Sequence, residues 1–376
     1  MKNIKTKHYY NLSWLIYILL GVIGFIVFRT LFESNIASSI YDNDINIYVF
    51  NGLMILYGFI SACLVYSLGK LITGLICGYE LVYFNFFIFG FEKVNNKVKM
   101  YFGPKYDFAS KVVLSPKKDN VKVVLPLLGG TFGCLIAAGI TYGLIFGLNA
   151  TPTTKFFFIV SSLFYIFVIL INLVPCRMDN LNDGFALFLI SKEGSKNIYL
   201  NNMKNASALL NSNKEIIYQE VESKNDPFTL EAQVYNYYYL IEKGEIEKAT
   251  KIASDNYLYF KNIINEEHLK TLVIGKVYSM CLNKEFDALK EYYQLIDVNE
   301  KHYFNTTKNL ESIKTALYIF SVIDVDSEEY LRVKTMKDKL KEKYKYKRLI
   351  EQEEKIIEET IKVTEELFNN SNENKE

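Results

Sequence analysis

Histidine and cysteine, the side chains that most often hold zinc, are few in this chain of 376 residues. There are three histidines, His8, His268 and His302, each far from the others in sequence. The five cysteines, Cys63, Cys77, Cys134, Cys176 and Cys281, form no CxxC pair. Four of them lie in or beside apolar runs, so buried, reduced thiols are expected. Lys70 interrupts a long apolar run; as an ammonium it has no lone pair to offer a metal. Near the end of its helix it would reach the membrane surface by extending its side chain. Asp183-Gly184 alone reads as a turn, and Glu80, with no catalytic partner at suitable spacing, reads as a loop residue. The tyrosines Tyr235, Tyr237, Tyr238 and Tyr239 suit packing between helices rather than a ligand site.

The elements that must position these residues divide the chain in two. Net charge is +1 and 23% of residues are charged, which gives no argument for nucleic-acid binding. The averages hide a segregation: apolar runs fill the first half and Lys/Glu-rich text the second. Four runs, 13–32, 47–68, 121–148 and 156–174, are each long enough for one membrane crossing. The first is long for a signal peptide and lacks a clean cleavage site, so it is expected to be retained. Lys2, Lys5 and Lys7 precede the first run, the loop 33–46 has no Lys or Arg, and many lysines fill the segment 70–118. That alternation predicts a multi-pass protein of the cell membrane with both termini cytosolic, and Cys281 on the cytosolic side. Segment 81–116 reads as a cytosolic loop with a small β element. Its aromatic start is too short to cross as a helix, and Asn95-Asn96 is a turn signal.

The fold class expected is therefore mainly α. A membrane helix bundle of about four spans, residues 1–190 with its small β element, is followed by a cytosolic α-helical repeat-like domain, 191–333. Asp226-Pro227 reads as an N-cap and first-turn proline. Segments 228–242 and 245–254, joined at Gly244, read as a helix pair, and a similar pairing recurs at 269–282 and 285–297. This suggests a tetratricopeptide-like stack. Residues 334–367 read as one long charged helix with a solvated face, followed by a frayed tail from Asn369, so that 334–376 stands as a third segment.

Within this frame three motifs occur in order. Tyr66-Ser67-Leu68-Gly69-Lys70 is followed by Gly74, Gly78-Tyr79 and Phe84. Leu114-Ser115-Pro116 is followed by Pro126-Leu127-Leu128-Gly129-Gly130, and Asn172-Leu173-Val174-Pro175 by Asn182-Asp183-Gly184. Together they resemble the site-2 protease family, intramembrane zinc metalloproteases whose bacterial branch reads HELGH, then G-Y and an aromatic strand, and later N-L-x-P and D-G. The resemblance covers about 48–190 and implies the family's membrane fold. It also implies a site at Tyr66, Ser67, Lys70 and Asp183, supported by Gly69, Gly78, Asn172, Pro175 and Gly184. In HExxH two histidines one turn apart bind zinc and the glutamate is the base. Here Tyr66, Ser67 and Lys70 take those positions, and Asp183 alone keeps the family's residue type. No catalytic residue is intact and no cofactor is expected.

The resemblance thus implies a pseudoprotease: a non-catalytic membrane scaffold or adaptor contacting lipid and binding a partner helix or peptide. An active intramembrane metalloprotease with atypical ligands, holding zinc, is the alternative. A transporter would need several ionisable residues inside the spans, and they contain almost none. Without a metal, Asp183 would be an isolated charge, which is costly. An ion pair from Lys70 to Asp183, with Tyr66 donating its hydroxyl one turn earlier, is the expected replacement.

Overall fold

The computed structural model describes residues 3–33, 44–94, 97–103, 110–147, 151–175, 182–192, 194–211, 214–222, 226–260, 266–296, 301, 303 and 309–373. The chain is mainly helical and divides into two compact units, Met1–Lys196 and Asn197–Glu376.

In the first unit, α1 (Asn3–Glu33) and α2 (Asp44–Ile76) precede a four-stranded sheet, and α3 (Val124–Gly147), α4 (Pro152–Leu173) and the short α5 (Asp183–Ile190) follow it. Among the described residues, three helices are long and apolar enough to cross a membrane: Gly52–Ile76 within α2, Val124–Gly147 and Thr154–Leu173. Such helices satisfy every backbone polar group internally, as a lipid environment demands. α1 carries the shorter apolar stretch Ser13–Val27, and His8 lies within this helix rather than ahead of it. The apolar part of α2 runs on past Lys70 to Ile76, which puts Lys70 inside the helix and not at its edge. Thr151 caps α4 by accepting from the Thr154 amide at 3.3 Å, with Pro152 in the first turn. α4 ends at Leu173, and Val174 turns extended ahead of Pro175, as a residue before proline prefers.

α2 passes directly into the sheet through Gly78, whose φ of +87° favours glycine. Strands β1 (Tyr79–Phe86), β2 (Phe89–Val94), β3 (Lys97–Phe102) and β4 (Ser110–Pro116) pair antiparallel in the order β3-β2-β1-β4. β1 is central and mostly buried. The aromatic stretch from Leu81 therefore forms parts of two strands with a turn at 87–88. Glu80 is not a loop residue: it pairs with Ser115 across the sheet and accepts from Lys93 Nζ at 2.6 Å. Val94 and Lys97 are opposed, and Asn95-Asn96 between them lie outside the described residues.

The second unit begins near the start of α6 (Ser195–Leu210) and continues with α7 (Pro227–Glu242), α8 (Ile246–Phe260), α9 (Glu266–Leu282) and α10 (Phe286–Leu295). Asp226 caps α7, accepting from the amides of Phe228 and Thr229 at 3.0 and 3.1 Å, with Pro227 in the first turn. One turn type closes both α7 to α8 and α9 to α10. Gly244 and Lys284 have positive φ, and Glu245 and Glu285 donate back to the carbonyls of Leu240 and Met280, each at 2.9 Å. Tyr235, Tyr237 and Tyr238 are buried in the shared core.

Between α6 and α7, residues 215–222 belong to no helix or strand and are held by side-chain amides. Asn205 bonds both the N–H and C=O of Ile217 (2.8 and 2.9 Å), Asn236 bonds those of Gln219 (2.8 and 2.7 Å), and Gln233 donates to the C=O of Val221 at 3.1 Å.

The C-terminal part is not one long helix from 334. A 3-10 turn (Leu310–Ser312), α11 (Ile313–Tyr318) and a π-helical turn (Ile319–Ile323) lead to α12 (Ser327–Thr335), α13 (Lys337–Lys343), a second 3-10 turn (Lys347–Leu349) and α14 (Ile350–Glu373). Tyr344 becomes extended at the break, and its buried hydroxyl donates to Glu311 at 2.5 Å. The chain folds back there because Leu340, Tyr344 and Leu349 are all buried in the core. The tail expected to fray from Asn369 is helical as far as Glu373.

Candidate functional site

Close packing of α2 on α3 creates the site. A Cβ on Gly69 would strike the carbonyl oxygen of Gly129, so these helices approach backbone to backbone. One residue on, a Cβ on Gly130 would lie 2.6 Å from the Tyr66 ring. Tyr66 is therefore seated against α3 at a position where only glycine leaves room.

α5 brings the carboxylate. Asn182 caps this helix, accepting from the Phe185 amide at 2.9 Å. Its amide nitrogen donates to the carbonyls of Ile171 and Val174 at 2.8 and 2.6 Å, tying α5 to the end of α4. Gly184 lies so close that a Cβ would collide with the Leu173 carbonyl. Asp183, between them, is thereby fixed at the first turn of α5.

Lys70 Nζ meets Asp183 Oδ1 at 2.6 Å, and the Tyr66 hydroxyl donates to Oδ2. The Asp183 side chain is 8% exposed and that of Lys70 25%. Both carboxylate oxygens are thus engaged, one by a cation and one by a phenol. Because Lys70 and Tyr66 are one helical turn apart on α2, a single face of that helix supplies both donors.

Ser67 is not part of this group. It is buried and shares a 2.6 Å hydrogen bond with Ser110 at the start of β4, whose hydroxyl reaches the Cys63 carbonyl at 3.3 Å. Asn172 bonds back within its own helix to the Val168 carbonyl at 2.9 Å, and Pro175 is exposed just past that helix. Ser110 carried no signal in the sequence, since its link to Ser67 spans 43 positions of unrelated pattern.

A zinc ion does not fit these donors. The ammonium of Lys70 has no lone pair and already occupies Asp183, while Ser67 turns to Ser110. Among the described residues no group of three His, Cys, Asp or Glu side chains is placed to hold a metal ion. His268 lies on α9, its ring 6.4 Å from that of Tyr235, and His302 is outside the described residues. Cys63, Cys77, Cys134 and Cys281 are free thiols, and Cys176 is outside the described residues. Chemically, the arrangement is a charge-neutralised carboxylate that ties α5 to α2.

Compared with known proteins, the chain matches no family model, no curated protein and no solved structure.

Proposed function

We propose that this protein is a non-catalytic membrane scaffold or adaptor with a site-2-protease-like core, binding a partner helix or peptide. The observation that carries the reading is the ion pair from Lys70 to Asp183 with the Tyr66 hydroxyl. In the family this chain resembles, the corresponding positions converge on zinc. Here the same three converge on each other, so the geometry of a metal site survives without its chemistry. A core built to admit a transmembrane segment keeps that ability after losing its metal.

On this reading α1 completes a four-span bundle, and the segments before α1 and after α5 face the cytosol. The helix pairs α7/α8 and α9/α10, closed by the same turn, form a tetratricopeptide-like stack offering a surface to a protein partner. Fold alone does not fix function, so the test is direct. Crosslinking in native membranes should give a discrete protein adduct, recovered intact alongside the uncleaved partner. Cleavage of that partner by the purified protein, abolished by Asp183→Ala, would move the metalloprotease reading to first place. Absence of any adduct would remove the adaptor reading.

A further inference from the structure

Three charged side chains lie in the interior of the helical unit. Glu311 is in the 3-10 turn before α11, Lys314 is in the first turn of α11, and Glu353 is in the first turn of α14. Lys314 and Glu353 are both 0% exposed, with Nζ 2.9 and 2.7 Å from the two carboxylate oxygens. Glu311 is 2% exposed. Its Oε1 accepts from Tyr344 at 2.5 Å and from Tyr238 of α7 at 3.3 Å, and Tyr238 also shares a 2.9 Å hydrogen bond with Thr271 of α9. Two carboxylates and one ammonium therefore lie together in the buried core, the ammonium bonded to Glu353 and felt by Glu311 through space.

The surrounding elements add little positive charge. From α9, Lys270 acts on Glu311 only through space, and Tyr278 bonds Thr360 with the Lys314 ammonium 5.5 Å over its ring. From α7, Tyr237 feels both carboxylates, and its hydroxyl has no hydrogen-bond partner among the described residues. Tyr346 packs its ring against Tyr238 and Tyr344. α13 also packs on the turn, but its Lys337 and Lys341 pair with Glu358 and Glu354.

We propose that Glu311 makes the docking of the C-terminal helix α14 proton-dependent. With Glu311 neutral, Glu353 has Lys314 to itself and α14 is held. With Glu311 ionised, two buried carboxylates compete for one ammonium and α14 is loosened. The other buried polar links of α14, Tyr278 to Thr360 and Tyr330 to Thr364, join hydroxyls and do not change charge near neutrality. Burial, and then the charge of Glu353, push Glu311 from its ordinary 4.5 up to about 7, while the Tyr344 hydroxyl, Lys314 and Lys270 pull it part of the way back. The Glu353 charge leaves with α14, so the docked state holds the Glu311 proton more tightly than the released state does. Docking therefore weakens as pH rises toward that upper value, by at most about tenfold per unit, and levels off above it.

Hydrogen exchange of the full chain in detergent, corrected for the intrinsic rate at each pH, reads this in peptides from α14. In the wild type the opening constant should rise by roughly tenfold or more between about pH 5 and pH 7 and then level. Glu311→Gln should flatten that rise. A wild-type opening constant that does not change over this range, or a rise retained in Glu311→Gln, overturns the proposal. If the glutamine variant fails to fold, Tyr344→Phe serves. It removes a donor that favours the ionised carboxylate, so the midpoint should move to higher pH. A purely structural Tyr344 would raise exchange equally at all pH and leave the midpoint in place, which would also overturn it.

Discussion

Asp183 would be an uncompensated charge at the helix junction without its two donors, and this sets what single substitutions should do. Removing one member of a fully buried pair costs about 3–5 kcal/mol. Lys70 is 25% exposed, so Lys70→Met and Asp183→Asn should each cost less, about 1–3 kcal/mol. The double variant should be milder than the sum, read as a coupling in thermal unfolding of the detergent-solubilised protein. Simple additivity would mean that Lys70 reaches solvent alone. This pair was legible in the sequence because Tyr66, Lys70 and Asp183 each fall in a motif of fixed order. The partner of Ser67 was not legible. Ser110 is brought to it by the sheet, and nothing local in either segment marks the contact.

At the scale of elements, two substitutions probe how the site and the helical unit are assembled. Gly69→Val places a side chain against the Gly129 carbonyl and should destabilise the α2–α3 pair by about 1–3 kcal/mol or more, seen as a lower unfolding temperature. Asn236→Ala leaves the N–H and C=O of Gln219 without their partner. It should cost about 1–3 kcal/mol and raise amide exchange across 215–222 while sparing α14. Equal exchange in both regions would show that the side-chain amides are not what holds 215–222. Helix starts were readable from local chemistry, as at Asp226-Pro227, whose capping side chain accepts from two amides. The break at Tyr344 was not, because Lys/Glu spacing suits a helix on both sides of it. What stops the helix is a tertiary contact, the hydroxyl of Tyr344 reaching Glu311. The course of 215–222 was hidden for the same reason: its clamps, Asn205, Gln233 and Asn236, come from helices on either side.

For the whole molecule the central claims are orientation and the loss of metal chemistry. Lys117, after β4, and Thr151, before α4, are both exposed and flank α3. Single cysteines placed there in a cysteine-free background should label from opposite sides, Lys117→Cys from the cytosol and Thr151→Cys from outside. Labelling of both from one side would contradict a crossing by α3. Cys281, although expected on the cytosolic side, is 1% exposed in the core, and burial raises its thiol pKa further, so it cannot serve as the reporter. Apolar runs made three crossing-length helices readable, and the change from apolar to Lys/Glu-rich text falls close to the boundary between the two units at 196/197.

The loss of metal chemistry is tested most directly by zinc content. Tyr66 and Lys70 already reach Asp183 from one face of α2. Tyr66→His, Ser67→Glu and Lys70→His together would therefore aim two imidazoles at the same carboxylate. The account predicts no stoichiometric zinc in the wild-type protein, about one zinc per chain in the triple variant, and loss of that zinc when Asp183→Ala is added. About one zinc per chain in the wild type, lost with Asp183→Ala, would contradict it.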